Sequence, residues 1–107
     1  MSQYFDREGN PLGLFEWAAL YEDHSYRIIA QNRIEDILVS TIWLGLDHSW
    51  GWGGPPLIFE TMILGLGAGE DLDIDEYQWR WSTEVQALAG HDQAVAKVRE
   101  VLVRREC

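Results

Sequence analysis

The chain has 107 residues, and its eight Lys and Arg against eighteen Asp and Glu leave a net charge of −10 with histidine neutral. A content of 47% hydrophobic and 24% charged residues is that of a single globular domain spanning 1–107 and argues against disorder. No run of eighteen apolar residues occurs, so no membrane span is expected, and binding to nucleic acid is disfavoured because counterion release needs clustered cations.

The N-terminus lacks a basic region followed by an apolar stretch, so no signal peptide is expected. The one cysteine, Cys107, excludes an internal disulfide and points to a reducing, cytoplasmic compartment. Lys97, Arg99, Arg104 and Arg105 crowd the C-terminal end, where cations complement the negative end of a helix.

In chain order, Gln3-Tyr4-Phe5 reads as a short strand, and Asp6 to Pro11 as a tight turn. Leu14, Trp17, Ala18 and Tyr21 share one face of a short amphipathic helix over 14–22. Tyr26 to Gln31 is a strand, and Asn32 to Asp36 a polar turn. Ile37 to Leu46 is apolar on both faces and reads as the central strand. Asp47 to Pro56 is a loop with three Gly, two Trp, one His and two Pro. Leu57 to Leu64 is a further strand, broken in its apolar character only by Glu60 and Thr61. Gly65 to Gly69 is a connector, and Glu70 to Glu76 places five acids in seven residues. Tyr77 to Trp81 alternates aromatic and polar side chains, as an outer strand with one buried face does. Thr83 with Gln86 matches a capping box and opens a long helix. Its apolar stripe is Leu88, His91, Val95, Val98 and Leu102, with Gly90 as a candidate kink.

Strands joined by turns rather than helices give a mainly antiparallel sheet of four or five strands. The expected fold is α+β, with a short N-terminal helix and a long C-terminal helix packed on one face.

Five blocks are similar to a known group. They are Tyr4 to Pro11, Glu16-Trp17-Ala18, Ser40 to His48, Gly54 to Met62, and Ala87 to His91. Together they resemble a family of small bacteriophage and prophage proteins, over roughly residues 3 to 100. The resemblance brings no catalytic residues with it. It implies a phage-borne protein acting inside a bacterial cell, where small phage proteins often bind and disable host machinery or host defence.

Candidate sites follow from residue type and spacing. Asp71, Asp73 and Asp75 have the one-three-five spacing of a calcium loop. The match then fails, because Glu76 stands where glycine is needed and Ser82 where a bidentate acid is needed. The segment Glu70, Asp71, Asp73, Asp75 and Glu76 reads instead as a solvated acidic face that a basic partner could use. Asp47, His48, Trp50 and Trp52 leave the central strand together. The two indoles either fold back over the core or form a stacking platform for a nucleobase. Glu60 needs a partner if buried, and Arg27 or Arg80 on a neighbouring strand could supply it; the alternative is a carboxylate aimed into a pocket. His24, His48 and His91 lack metal-ligand spacing, and His91 reads as a hydrogen-bonded core histidine. No nucleophile elbow, phosphate loop or dinucleotide fingerprint is present.

These readings favour a binding protein over an enzyme, with no cofactor and no metal. The first expectation is an accessory factor that inhibits or redirects a host bacterial protein through the acidic residues 70–76. The second is a nucleotide-sequestering protein using Asp47, His48, Trp50, Trp52, Glu60 and Arg80. The last is a small hydrolase-like enzyme using Asp47, His48 and Glu60. Six tryptophans in so short a chain leave aromatic surface for a homodimer or a partner interface.

Overall fold

The computed structural model describes residues 3–48, 53–65 and 78–106. Its framework is a four-stranded antiparallel sheet formed by β3 (Ile28–Ile34), β4 (Ile37–Trp43), β5 (Phe59–Gly65) and β6 (Gln78–Trp81), in the spatial order β3-β4-β5-β6. Each strand neighbours the next in sequence, as connections without helices dictate. A small hairpin, β1 (Tyr4–Phe5) with β2 (Pro11–Leu12), and the helices α1 (Leu14–Tyr21) and α2 (His24–Arg27) precede the sheet. The long helix α3 (Glu84–Glu106) follows it. The architecture is α+β.

Side-chain alternation assigns one sheet face to the core. Ile37, Val39, Thr41 and Trp43 on β4 are buried, as are Phe59, Thr61 and Ile63 on β5. α3 meets this face through Ala87, Gly90, His91, Ala94, Val98 and Val101. The buried stripe therefore differs from the one expected. Leu88 is exposed, while Val95 and Leu102 lie at the margin. Small residues at 87, 90 and 94 bring the helix close to a sheet already filled by Trp43, Phe59 and Trp81.

Two apolar clusters share this layer. One gathers Ile37, Val39, Ile63, Ala94, Val98 and Val101. The other centres on Trp43, Ile58, Phe59 and Ala87, and α1, α2 and the β1–β2 hairpin close it with Trp17, Leu20, Tyr21, Tyr26 and Phe5. Indole N–H groups are satisfied within it: Trp43 Nε1 donates to the Phe5 carbonyl at 3.0 Å and Trp17 Nε1 to the Leu44 carbonyl at 2.9 Å. Gly45 is the reason that strand β4 stops at Trp43 rather than at Leu46. Its φ is +71°, and a Cβ there would meet the rings of both Trp43 and Trp17.

Other element boundaries also moved. Asp23 accepts from the Ser25 N–H at 3.0 Å and caps α2, a turn of helix that takes in Tyr26 and Arg27 from the stretch the sequence reads as strand. β3 runs on through Asn32 and Arg33 to Ile34, and only Glu35 and Asp36 form the turn. Polar side chains are tolerated there because β3 is an edge strand of the described sheet. β2 includes Pro11, which pairs with Phe5 although proline disfavours pairing. α3 is continuous through Gly90; the glycine serves a close approach rather than a kink. Its start is as expected, with Gln86 N donating to Thr83 Oγ1 at 3.1 Å and Thr83 N to Gln86 Oε1 at 3.2 Å.

Candidate functional site

The second face of the sheet carries no described helix. Cross-strand register aligns Ile28, Ile42, Glu60 and Arg80 in one row, and Gln31, Ser40, Met62 and Gln78 in the next. Ser40 and Glu60 are nevertheless buried, Glu60 to 8% exposure, because adjacent side chains on a twisted sheet cover them.

Glu60 is paired. Gln78 donates through Nε2 to Glu60 Oε2 at 2.5 Å, and Arg80 through Nε to the same oxygen at 3.3 Å. Of the two cations considered as its partner, Arg80 fills the role. Arg27 instead donates to the Tyr21 carbonyl and stacks its guanidinium over the Tyr21 ring at 4.9 Å. Gln78 was missed by sequence reasoning, yet its signal was present: it shares the alternation of Arg80 on a strand next to that of Glu60.

Asp47 and His48 follow β4 at the same end. The Leu57 N–H donates to Asp47 Oδ1 at 3.1 Å, and the His48 N–H to the Leu57 carbonyl at 3.0 Å. Burial holds the His48 imidazole below its ordinary pKa, and the charge of Arg80 pushes the same way, while Glu60 and Asp47 oppose them. Four expected ligand residues, Asp47, His48, Glu60 and Arg80, thus lie within electrostatic reach of one another. They combine a half-buried imidazole, a guanidinium and two carboxylates, a set able to hydrogen-bond a polar ligand. Trp50 and Trp52 lie outside the described residues, as do Glu70, Asp71, Asp73, Asp75 and Glu76.

A separate polar chain runs under α3. His91 Nδ1 lies 2.8 Å from Thr41 Oγ1, which lies 2.7 Å from Thr61 Oγ1. Trp81 Nε1 donates to Thr61 Oγ1 at 3.0 Å, and His91 Nε2 lies 2.7 Å from Asn32 Oδ1. Asn32 Oδ1 can only accept, so the neutral imidazole carries its proton on Nε2 and accepts at Nδ1, which fixes the direction of the chain. Thr61 then donates to Thr41, Thr41 to Nδ1, and His91 Nε2–H to Asn32. The imidazole is neutral in this arrangement, and burial keeps its pKa low. Every hydroxyl is used, so this group builds the core rather than a site.

Among the described residues, no group of three His, Cys, Asp or Glu side chains could hold a metal ion. No helix among them is long and apolar enough to cross a membrane. Comparison with protein-family models, curated proteins and solved structures finds no match.

Proposed function

We propose that the chain is a protein-binding accessory factor, phage-encoded as its sequence blocks imply, that inhibits or redirects a host protein, such as a defence protein. Its contact is the acidic segment Glu70, Asp71, Asp73, Asp75 and Glu76. One observation carries this reading. Residues 66–77 join β5 to β6, neighbours in the sheet, and hold five carboxylates and no cation, half of the net charge of −10. Charge concentrated in one connection steers a basic partner and fixes its orientation. Reversing these five charges and repeating capture from host lysate by native mass spectrometry tests the reading. Capture of a host protein at low salt, lost in the reversed variant, supports it. Capture unchanged by the reversal overturns it.

A second reading rests on the electrostatic proximity of Asp47, Glu60 and Arg80 to His48. Together with Trp50 and Trp52 of the Trp-rich loop, these residues would sequester a small polar molecule such as a nucleotide. Titrating nucleotides against tryptophan fluorescence tests it. Quenching that is lost in Arg80→Gln supports it, and no quenching by any nucleotide ends it.

A further inference from the structure

β6 is the outer strand of the described sheet, and it faces α3 across a groove. Trp79, Trp81, Gly90, Gln93, Ala94 and Lys97 line this groove, which encloses about 120 Å³. That is several times the ~30 Å³ share of one water and admits a side chain. The Trp81 ring fills the space over Gly90, and the groove lies beside that contact, lined further along by Trp79, Gln93, Ala94 and Lys97.

The strand backbone adds hydrogen-bonding capacity. The Trp81 carbonyl accepts from the Ile58 N–H at 3.0 Å and so points towards β5. Backbone groups alternate along an extended strand, so those of Arg80 point outward from the sheet. No described strand pairs with this edge.

Lys97 supplies polarity. It is the one charged residue lining the groove and has no ion pair among the described residues. It lies seven residues beyond Gly90 on α3, roughly 10 Å further along the helix. Because α3 turns back after β6, Lys97 lies at the end where β6 begins.

We propose that the β6–α3 groove binds the C-terminal tail of a partner protein as a fifth antiparallel strand. Its apolar side chains enter between Trp79 and Ala94, and its terminal carboxylate pairs with Lys97. Antiparallel addition continues the pattern of the whole sheet, and it runs the guest from the Gly90 end to the Lys97 end. The C-terminus thereby arrives at Lys97, the one cation among the described residues that line the groove. Main-chain bonds to Arg80 supply affinity, and the groove reads alternate side chains. Peptide binding of this kind does not require the acidic residues at 70–76.

The test is fluorescence anisotropy of a short labelled peptide alternating serine and valine, with a free C-terminal carboxylate. Binding is expected, weakened about tenfold by C-terminal amidation or by Lys97→Glu, the loss of one charge-assisted hydrogen bond. N-methylation of the peptide amide opposite Arg80 is expected to weaken it to a similar degree. Exchanging the five acids at 70–76 for their amides should tighten the peptide by removing like charge, whereas it weakens host-protein capture, so the two readings fail separately. No binding, or binding indifferent to amidation, to Lys97→Glu and to N-methylation, overturns the proposal. A dimer that already protects the Arg80 amide from exchange before peptide is added also overturns it, in favour of a second copy on this edge.

Discussion

The indole of Trp81 lies directly over Gly90. A Cβ at that glycine would come within 2.6 Å of Trp81 Cε2 and Cη2, and closer still to Cζ2. Helix propensity alone favours alanine by about 1 kcal/mol. Overpacking a filled interface costs about 1–3 kcal/mol and opposes that gain. Gly90→Ala is therefore expected to destabilise the fold by up to about 2 kcal/mol in urea unfolding. In a Trp81→Leu background the same substitution should become neutral or stabilising. A Gly90→Ala that stabilises the chain with Trp81 intact would show that the ring does not occupy this position.

His91 gives the fold a pH dependence of defined sign. Its imidazole is held below the ordinary value, first by burial, with Asp92 opposing weakly. In the unfolded chain the group titrates near ~6.5. Below that pH the unfolded state takes a proton that the folded state resists, so folded stability falls as pH drops from about 6.5 and is fully present above it. Protonation also reverses the bond at Nδ1: Thr41 must accept there and donate to Thr61, whose own hydroxyl proton then loses its partner. His48 titrates in the same sense, so the measurement is comparative. The denaturation midpoint of His91→Gln, followed from pH 7.5 to 5, should fall less steeply than that of the unsubstituted chain. Equal slopes would remove His91 as a source of the effect.

The sheet was legible because its strands carry period-two patterns under strong burial. β4 and β5 declare themselves through Ile37, Val39, Trp43, Phe59 and Ile63. α3 was legible as a helix, but its buried face was misjudged. Periodicity weights large apolar residues such as Leu88, whereas this interface is set by ring volume on the sheet and takes Ala87, Gly90 and Ala94. The ends of β4 and β3 were hidden for a different reason. Gly45 and Asp23 act through local backbone geometry and a cap, which hydropathy does not register. The pairing of Glu60 with Arg80 could be anticipated from burial, but choosing it over Arg27 required the register. The chain from Trp81 to Asn32 was not legible, since it joins residues far apart in sequence. The β6–α3 groove depends on the same long-range packing.

The paired threonines at the sheet centre should behave as one unit. Thr41→Val removes the donor to His91 Nδ1, and Thr61→Val removes the acceptor of the Trp81 indole. Each leaves a buried polar group unsatisfied, at a cost of about 1–3 kcal/mol. Removing both deletes the shared bond once rather than twice. The double variant should therefore be more stable than the sum of the single losses implies, with a coupling of at least about 0.5 kcal/mol. Strict additivity in a urea double-mutant cycle would show that the two hydroxyls do not interact.

Arg7 and Glu84 tie the N-terminal hairpin to the start of α3. Arg7 donates through Nε and Nη2 to the two carboxylate oxygens at 2.7 and 2.9 Å. It also donates to the Tyr26 carbonyl at 3.2 Å and lies over the Tyr26 ring at 5.4 Å. The fork geometry favours the pair, but side chains 26% and 34% exposed are screened by solvent. Their coupling in an Arg7→Ala and Glu84→Ala cycle is expected to be about 0.5–1 kcal/mol, and smaller in high salt. The hydrogen bond from Arg7 holds the Glu84 carboxyl below its ordinary value of 4.5, with burial opposing. The carboxylate form is thus the stabilising one. This contribution is present above pH 4.5 and is lost as pH falls through the lowered folded value. Amide exchange across Tyr4–Leu12 should rise first in Arg7→Ala, because the hairpin loses its tie to α3 while the sheet keeps its own pairing. Exchange rising equally across β4 and β5 would mean that the hairpin does not open as a separate unit.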